Sequence, residues 1–366
     1  MQTSTDMNSS LQLFRRLALL GALLALLVVI LGAWVRLSAA GLGCPDWPGC
    51  YGHLTVTQAA QNLDSINAAF PARPFEYHKA IKEMVHRYFA SALGLLILVL
   101  AGLAVRNRHD PQQPLVLPLL LVGLVILQGL LGMWTVTLLL KPLIVVLHLL
   151  GGLSTLSVLG WLAIDAARIV EAPLHRGPPP RENSLRRLAL LGLAVLGVQI
   201  SLGGWTSSNY AALACPDFPT CQNAAWPEMD LRDAFVLWRG LGIDYEGGVL
   251  DHPARVAIHF VHRLGALLTA AVLGWLAISA WRQQHSKPLR LAGALLGAAL
   301  LLQLIIGPLM VRRGLPLLLA TAHNGMAAVL LLCVVRVARL LHLDPVTSSS
   351  PANASLLPTS SSLLSP

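Results

Sequence analysis

The chain has 366 residues, of which 55% are hydrophobic and only 12% are charged. Soluble domains carry roughly a quarter charged residues, so this composition excludes an ordinary soluble protein and indicates an integral membrane protein. The net charge of +9 requires no nucleic-acid partner, because membrane proteins concentrate Lys and Arg in the connections on one side.

Eight apolar segments are each long enough to cross the roughly 30 Å hydrocarbon core of a bilayer. Because only helices or closed barrels satisfy the backbone in lipid, unbroken apolar runs of this length predict helices. The first segment lacks the usual cleavage site of a signal peptide, so we interpret it as a retained span. In chain order the predicted spans are Leu17–Val35, Val85–Val105, Leu115–Leu138, Leu143–Ala163, Leu188–Trp205, Val256–Ala280, Leu291–Val311 and Leu315–Leu341.

The basic residues predict the orientation of these spans. If the N-terminus lies inside, the inner connections hold fourteen of the 26 Lys and Arg residues but only six of the 17 acids. The positive-inside rule therefore predicts that both termini are cytoplasmic.

The chain is an internal repeat. The stretch LGAWVRLSAAGLGCPDWPGC (Leu31–Cys50) superposes without a gap on LGGWTSSNYAALACPDFPTC (Leu202–Cys221), at an offset of 171 residues. Glu83–Arg87 falls on His259–Arg263 at an offset of 176, and two later matches have an offset of 175. The predicted fold is therefore all-α, with two tandem pseudo-symmetric four-helix bundles.

The repeat divides the chain into five predicted parts. These are an N-terminus (1–16), a first bundle (17–165) with an outer loop (36–77), a basic Pro-rich linker (166–187), a second bundle (188–341) with an outer loop (206–255), and a disordered Ser/Pro-rich tail (342–366).

Five histidines lie within the spans, where an ionisable group is costly and indicates function. Four of them, one near the outer start of the second and fourth helix of each half, obey the repeat: His86, His148, His262 and His323. Two imidazoles at matched depth can bind one heme iron from both faces. Any single one could instead be a hydrogen-bonded core residue, and zinc or copper is the alternative metal, but these metals need three or four clustered ligands.

The neighbours of these histidines differ between the halves. Glu83 lies on the same helix face as His86, three residues away, whereas the second half has His259 in that place. Because only the first half has this carboxylate, we predict that the first half performs the chemistry. The alternative is that Glu83 only stabilises the helix dipole, as an acid near a helix N-terminus does. His259 could contact a propionate, as could Arg87 and Arg263, unless these arginines extend to the interface.

Two cysteine pairs lie in the outer loops, each separated by five residues that include two prolines. An oxidising compartment permits disulfides there, so the spacing predicts the bonds Cys44–Cys50 and Cys215–Cys221. Thiol–disulfide exchange with a partner is the alternative. Cys333, in the last span, is predicted to be a small buried hydrophobic residue.

These motifs together resemble the heme A synthase family, the membrane enzymes of cytochrome oxidase biogenesis. The resemblance covers about Leu17 to Leu341 and rests on GLGCPDWPGCYG, on the ExxHR of the second span, and on the paired histidines. It implies oxidation of the C8 methyl of heme O to the formyl group of heme A by successive hydroxylation.

The resemblance also implies roles for particular residues. His86 and His148 would ligate the iron of the substrate heme O, with Glu83 as the catalytic acid, and His262 and His323 would ligate a heme b cofactor. Cys44 and Cys50 match the family's first-loop pair.

The implied partners are heme O synthase, an electron donor and oxidase assembly factors, in a bacterial plasma (inner) membrane with the heme sites near the outer face. The sequence leaves oligomerisation open. The alternatives are a di-heme cytochrome b type electron carrier linked to quinol, and a heme transporter or chaperone.

Overall fold

The computed structural model describes residues 4–170 and 182–341. Within these residues every regular element is a helix, and eight of the helices are long and apolar enough to cross a membrane. The spanning helices are α1 (Ser4–Leu37), α4 (Tyr77–Arg106), α5 (Val116–Thr137), α6 (Pro142–Val170), α7 (Glu182–Ser208), α9 (His252–Trp281), α10 (Lys287–Arg312) and α11 (Leu317–Leu341). Three short helices lie in the two long loops: α2 (Val56–Ala59), α3 (Leu63–Ala69) and α8 (Leu231–Ala234).

The spanning helices match the eight predicted spans but extend beyond several of them. α4 begins at Tyr77 rather than Val85, and α9 begins at His252 rather than Val256. Backbone hydrogen bonding continues a helix past the last apolar residue, so hydropathy marks only the middle of each one. The predicted linker is shortened for the same reason, because helix covers residues 166–170 and 182–187. The rest of that linker and the predicted tail lie outside the described residues.

Contacts between helices arrange the chain in two rings of four. In the first ring α1, α4, α5 and α6 follow one another, and α7, α9, α10 and α11 do so in the second. The rings meet where α6 packs against α7 and α11, and where α1 packs against α11. At this junction Gly160 gives room for Leu332, since a Cβ there would lie 2.8 Å from the leucine Cδ2. Small residues of this kind let helices approach closely in membranes. The pseudo-symmetry of the two rings stays a prediction.

Two long loops cover one end of the bundle, which we call the loop end. The first long loop (38–76) joins α1 to α4, and the second long loop (209–251) joins α7 to α9. The loops are joined by an ion-pair cluster in which the Arg73 guanidinium contacts both Asp244 and Glu246.

The second long loop also reaches the first ring. The backbone N–H of Tyr245 donates to the carbonyl of Leu139, between α5 and α6. Beside it the buried ammonium group of Lys141 donates to the carbonyl of Gly240 and lies 3.6 Å from the centre of the Trp238 ring. Desolvation lowers the pKa of Lys141. This loop therefore binds the two halves together at the loop end.

Candidate functional site

The four paired histidines lie on helices that face each other across the rings. α4 carries His86 and α6 carries His148, on opposite sides of the first ring. α9 and α11 place His262 and His323 in the same way in the second ring. The fold thus brings together, within each ring, the two histidines that the sequence pairs.

A glycine on a neighbouring helix faces each of these imidazoles. A Cβ on Gly32 would lie 3.0 Å from Cε1 of His86, and one on Gly203 would lie 3.2 Å from Cε1 of His262. The same relation holds for the other two histidines, His148 beside Gly132 at 3.4 Å and His323 beside Gly307 at 3.2 Å. The distances at Gly32, Gly203 and Gly307 are tighter than ordinary van der Waals contact, so a larger residue there would displace the imidazole rings, whereas 3.4 Å at Gly132 is ordinary contact.

The glycines follow the repeat, since Gly32 and Gly203 differ by 171 positions and Gly132 and Gly307 by 175. The sequence repeat aligns these four glycines but does not by itself indicate a function for them. Their constant place in both halves was the signal that could have identified them.

The imidazoles have nitrogen atoms available for a ligand. The Nδ1 atoms of His86, His148 and His323 are buried without a hydrogen-bond partner. The Nδ1 of His262 lies 3.1 Å from the side-chain nitrogen of Gln199, which also donates to the His262 carbonyl. Buried polar atoms in native proteins are normally paired, so these orphaned nitrogens indicate that the sites take a further group.

A heme fits this arrangement better than a zinc or copper ion. Among residues 4–170 and 182–341, no three His, Cys, Asp or Glu side chains lie together as a metal-binding group. Heme iron needs only two axial protein ligands, which is what each ring offers. The assignment of the four histidines to heme iron stays a prediction.

Glu83 ties the start of α4 to the first long loop. Its side chain is buried, and its Oε2 accepts a hydrogen bond from the backbone N–H of Cys44 at 2.8 Å. Its Oε1 accepts from the Arg87 guanidinium at 2.6 Å. Both are charge-assisted bonds, which are the stronger kind. The carboxylate is therefore held in a fixed position one turn from His86.

His259 occupies the equivalent position in the second ring. Its Nδ1 lies 3.3 Å from the backbone nitrogen of Cys215 and its Nε2 lies 3.3 Å from the Nε of Arg263, and since a neutral imidazole has one acceptor nitrogen, it accepts from one of these two donors. Glu83 and His259 therefore have the same two kinds of partner, the first cysteine of a loop disulfide and the arginine four residues later. The two halves therefore differ in the chemical group, a carboxylate in the first ring and an imidazole in the second, while the position of that group is the same.

The two arginines bind loop carbonyls. Arg87 donates to the carbonyls of Asp46, Pro48 and Gly49, in addition to Glu83. Arg263 donates to three carbonyls of the second loop, which belong to Cys215, Asp217 and Thr220. Each guanidinium thus fixes a disulfide loop to its helix. The predicted propionate contacts of Arg87 and Arg263 stay predictions, and they compete with these bonds, as does the propionate contact predicted for His259.

Both predicted cysteine pairs are within bonding distance. The sulfur atoms of Cys44 and Cys50 lie 1.98 Å apart, and those of Cys215 and Cys221 lie 1.87 Å apart. Cys333 is the free cysteine of the described residues and is half-buried rather than fully buried.

An aspartate closes each disulfide loop in the same way. The Asp46 carboxylate accepts from the backbone N–H groups of Tyr51 and Gly52, and Asp217 accepts from those of Gln222 and Asn223. The hydroxyl of Thr220 hydrogen-bonds to Asp217, and this bond is the main cause that lowers the pKa of the aspartate.

Tyr51 connects the first disulfide loop to the rest of the first long loop. Its hydroxyl donates to the carbonyls of Arg73 and Pro74, each at 3.1 Å. Burial is the main cause that raises the pKa of Tyr51 to about 12, with the charges of Glu76, Glu83 and Asp46 adding to it. The phenol therefore stays protonated and remains a donor at neutral pH.

The described residues thus define an α-helical integral membrane protein, with a pair of histidines on facing helices of each ring and a carboxylate beside one pair. Residues 15–335 match the cytochrome oxidase assembly protein family, and the chain belongs to that family.

Curated relatives share most of the chain's length. A heme A synthase of Shewanella oneidensis is 45% identical over 268 residues, which cover 73% of this chain and 78% of the relative. A heme A synthase of Sphingopyxis alaskensis is 29% identical over 286 residues, covering 70% and 72%. One of Halalkalibacterium halodurans is 26% identical over 268 residues, covering 73% and 75%.

Proposed function

We propose that the chain is a heme A synthase, an oxidoreductase that converts the C8 methyl of heme O to the formyl group of heme A by successive hydroxylation. The relative of 45% identity carries this name, and the family match covers nearly the whole membrane part of the chain. The observation that carries the proposal is the exchange of Glu83 for His259 at equivalent positions of otherwise similar rings.

In this proposal the first ring binds the substrate. His86 and His148 hold heme O from its two faces. The glycines that face them, Gly32 and Gly132, fix the planes of the imidazole rings. The second ring holds a heme b through His262 and His323, and this cofactor supplies one-electron transfer. α6 and α11 carry one ligand of each pair and pack against each other, so electrons have a short route between the rings.

Glu83 is proposed to handle protons beside the reacting methyl group. In each hydroxylation by dioxygen, one oxygen atom enters a methyl C–H bond, and two electrons from the donor and two protons reduce the other oxygen atom to water. A carboxyl group within reach can relay these protons. The Cys44 N–H and Arg87 hold the Glu83 oxygens in place, one turn of α4 from His86. The second ring has the His259 imidazole between the same kinds of neighbour. We therefore assign the second ring to electron transfer and not to the oxidation of the methyl group.

The proposal includes the setting of the enzyme. We place it in the inner membrane of a bacterium, with both termini cytoplasmic and the loop end outside. Heme O synthase would supply the substrate, a separate donor would supply electrons, and oxidase assembly factors would receive the product.

The test is pigment analysis of membranes that contain this protein together with heme O synthase under aerobic growth. Extraction and mass spectrometry should detect heme A. Glu83→Gln should abolish heme A while retaining bound heme, and the matched His259→Gln variant should still form heme A. Folded, heme-loaded wild-type protein that yields only heme B and heme O would show that the chain is a carrier or transporter instead.

A further inference from the structure

The last turn of α1 carries a cation, Arg36, one turn beyond the glycine that faces His86. Arg36 lies four residues after Gly32, the glycine that faces His86. Residues four apart lie on the same face of a helix, about one turn from each other. Arg36 therefore lies on the face of α1 that faces the His86 imidazole, one turn nearer the loop end.

The Arg36 side chain reaches from the first ring to the second. Its Nη2 donates to the carbonyl of Ser207 at the end of α7, at 2.7 Å. Its guanidinium carbon lies 4.3 Å from the centre of the Tyr210 ring. α6 and α11 each pack against α7 and α1, and both begin at this end, so the guanidinium lies at the junction above the helices of His148 and His323.

Two hydrogen-bond donors at this junction have no partner. The Nε of Arg36 and the hydroxyl of Tyr210 are both buried and unpaired. The ion pairs of residues 4–170 and 182–341 belong to other cations, so the charge of Arg36 is balanced by no carboxylate there. Buried donors without acceptors are costly, and an anionic acceptor at this point would satisfy both.

This cation belongs to the first half alone. At the repeat offset of 171 residues, the counterpart of Arg36 is Ser207, which has no charge. Arg87, the cation that the sequence indicates for an anion, already donates to Glu83 and to three loop carbonyls. Arg36 keeps a free donor, and its planar guanidinium suits a carboxylate.

We propose that Arg36 and Tyr210 form a carboxylate-binding site that holds a propionate of the heme in the first ring. This proposal rests on the proposed function, since it requires a porphyrin between His86 and His148. The site would fix the rotation of the porphyrin in its plane and thereby decide which edge faces Glu83.

The test compares iron protoporphyrin IX with its dimethyl ester, which has the same ring but no propionate charge. Both are titrated into the full chain, produced under heme limitation, and the low-spin absorbance gives each Kd. Arg36→Leu should reduce the preference for the free acid about 10- to 100-fold, the size expected of a charge-assisted bond. Arg36→Lys should keep most of the preference, and Tyr210→Phe should lose a smaller part.

Lys82 is the matched control, because it is another cation that contacts the last turns of α1. Its ammonium group lies 5.2 Å from the centre of the Trp34 ring, and Trp34 is on α1 with Arg36. Lys82→Leu should leave the preference unchanged. An unchanged preference in Arg36→Leu, with both porphyrins still bound, would overturn the site. A loss in Lys82→Leu instead would assign the propionate to that lysine.

Two further variants assign the carboxylate to a ring. The effect of Arg36 should persist in His323→Ala and disappear in His148→Ala, and the reverse result would overturn the placement in the first ring. Wild-type protein that binds neither porphyrin would contradict the proposed function together with the site. Bound heme with an unchanged preference contradicts the Arg36 site alone.

Discussion

Replacing Glu83 with histidine separates the structural role of this side chain from its chemistry. The second ring already has a histidine at the equivalent position, and His259 contacts the Cys215 N–H and Arg263 where Glu83 accepts from Cys44 and Arg87. Glu83→His should therefore keep the first long loop in place and keep bound heme, while heme A formation is lost.

The cost in stability follows from the hydrogen bonds. Glu83 accepts two short charge-assisted bonds of 2.8 and 2.6 Å, whereas a neutral imidazole such as that of His259, with both contacts at 3.3 Å, can accept only one bond. Charged bonds contribute about 1.5–3 kcal/mol each, so Glu83→His, which can keep only one of the two bonds, should lower the free energy of unfolding by about 1.5–3 kcal/mol. Glu83→Ala leaves the Arg87 charge and the Cys44 N–H unpaired, and should cost about 3–5 kcal/mol.

The assay combines denaturant unfolding of the purified variants with pigment extraction from membranes. His259→Glu is the reciprocal control, and it should retain heme A formation because the first ring is intact. If Glu83→His is as unstable as Glu83→Ala, the equivalence of the two positions is wrong. If Glu83→His forms heme A at the wild-type level, a carboxylate is not required for the reaction.

Three other predictions concern the histidines assigned to heme b, the glycines that face the imidazoles, and the cysteine thiols. Replacing His262 or His323 with alanine should remove the stably bound heme b signal, and retained low-spin b-type absorbance in both variants would contradict their assignment. Gly203→Ala should weaken or shift that absorbance because its Cβ meets the His262 ring at 3.2 Å, whereas Gly197→Ala, on the same helix with nothing within 4 Å, should not. Alkylation of unreduced protein followed by mass spectrometry should modify only Cys333, and labelling of a loop cysteine would refute a stable disulfide there.

Much of the membrane architecture is predictable from the sequence. Spans in lipid must be long, apolar and helical, so the apolar runs identify all eight without any tertiary information. The ends of the helices are not predictable in this way. α4 begins with about two turns, from Tyr77 to Met84, that lie before the predicted apolar span and include Glu83.

The functional residues divide along similar lines. The sequence pairs the histidines because the repeat places them at matched depths, and the fold positions the helices of each pair across a ring. The contacts of Arg87 depend on where the carbonyls of residues 46–49 fold back onto α4, about 40 positions away in the chain. No local pattern encodes that approach, so the sequence alone could not indicate these loop contacts.

The sequence by itself determined the class of protein, the number of spans, the repeat and the residue types at each site, because these follow from composition and periodicity. Tertiary structure alone decided that Glu83 and His259 hold equivalent positions against their disulfide loops, and that Arg36 reaches Ser207, its own counterpart in the other half. Such relations join residues 39 to 171 positions apart, and only the packing of the helices and the folding back of the loops bring them into contact.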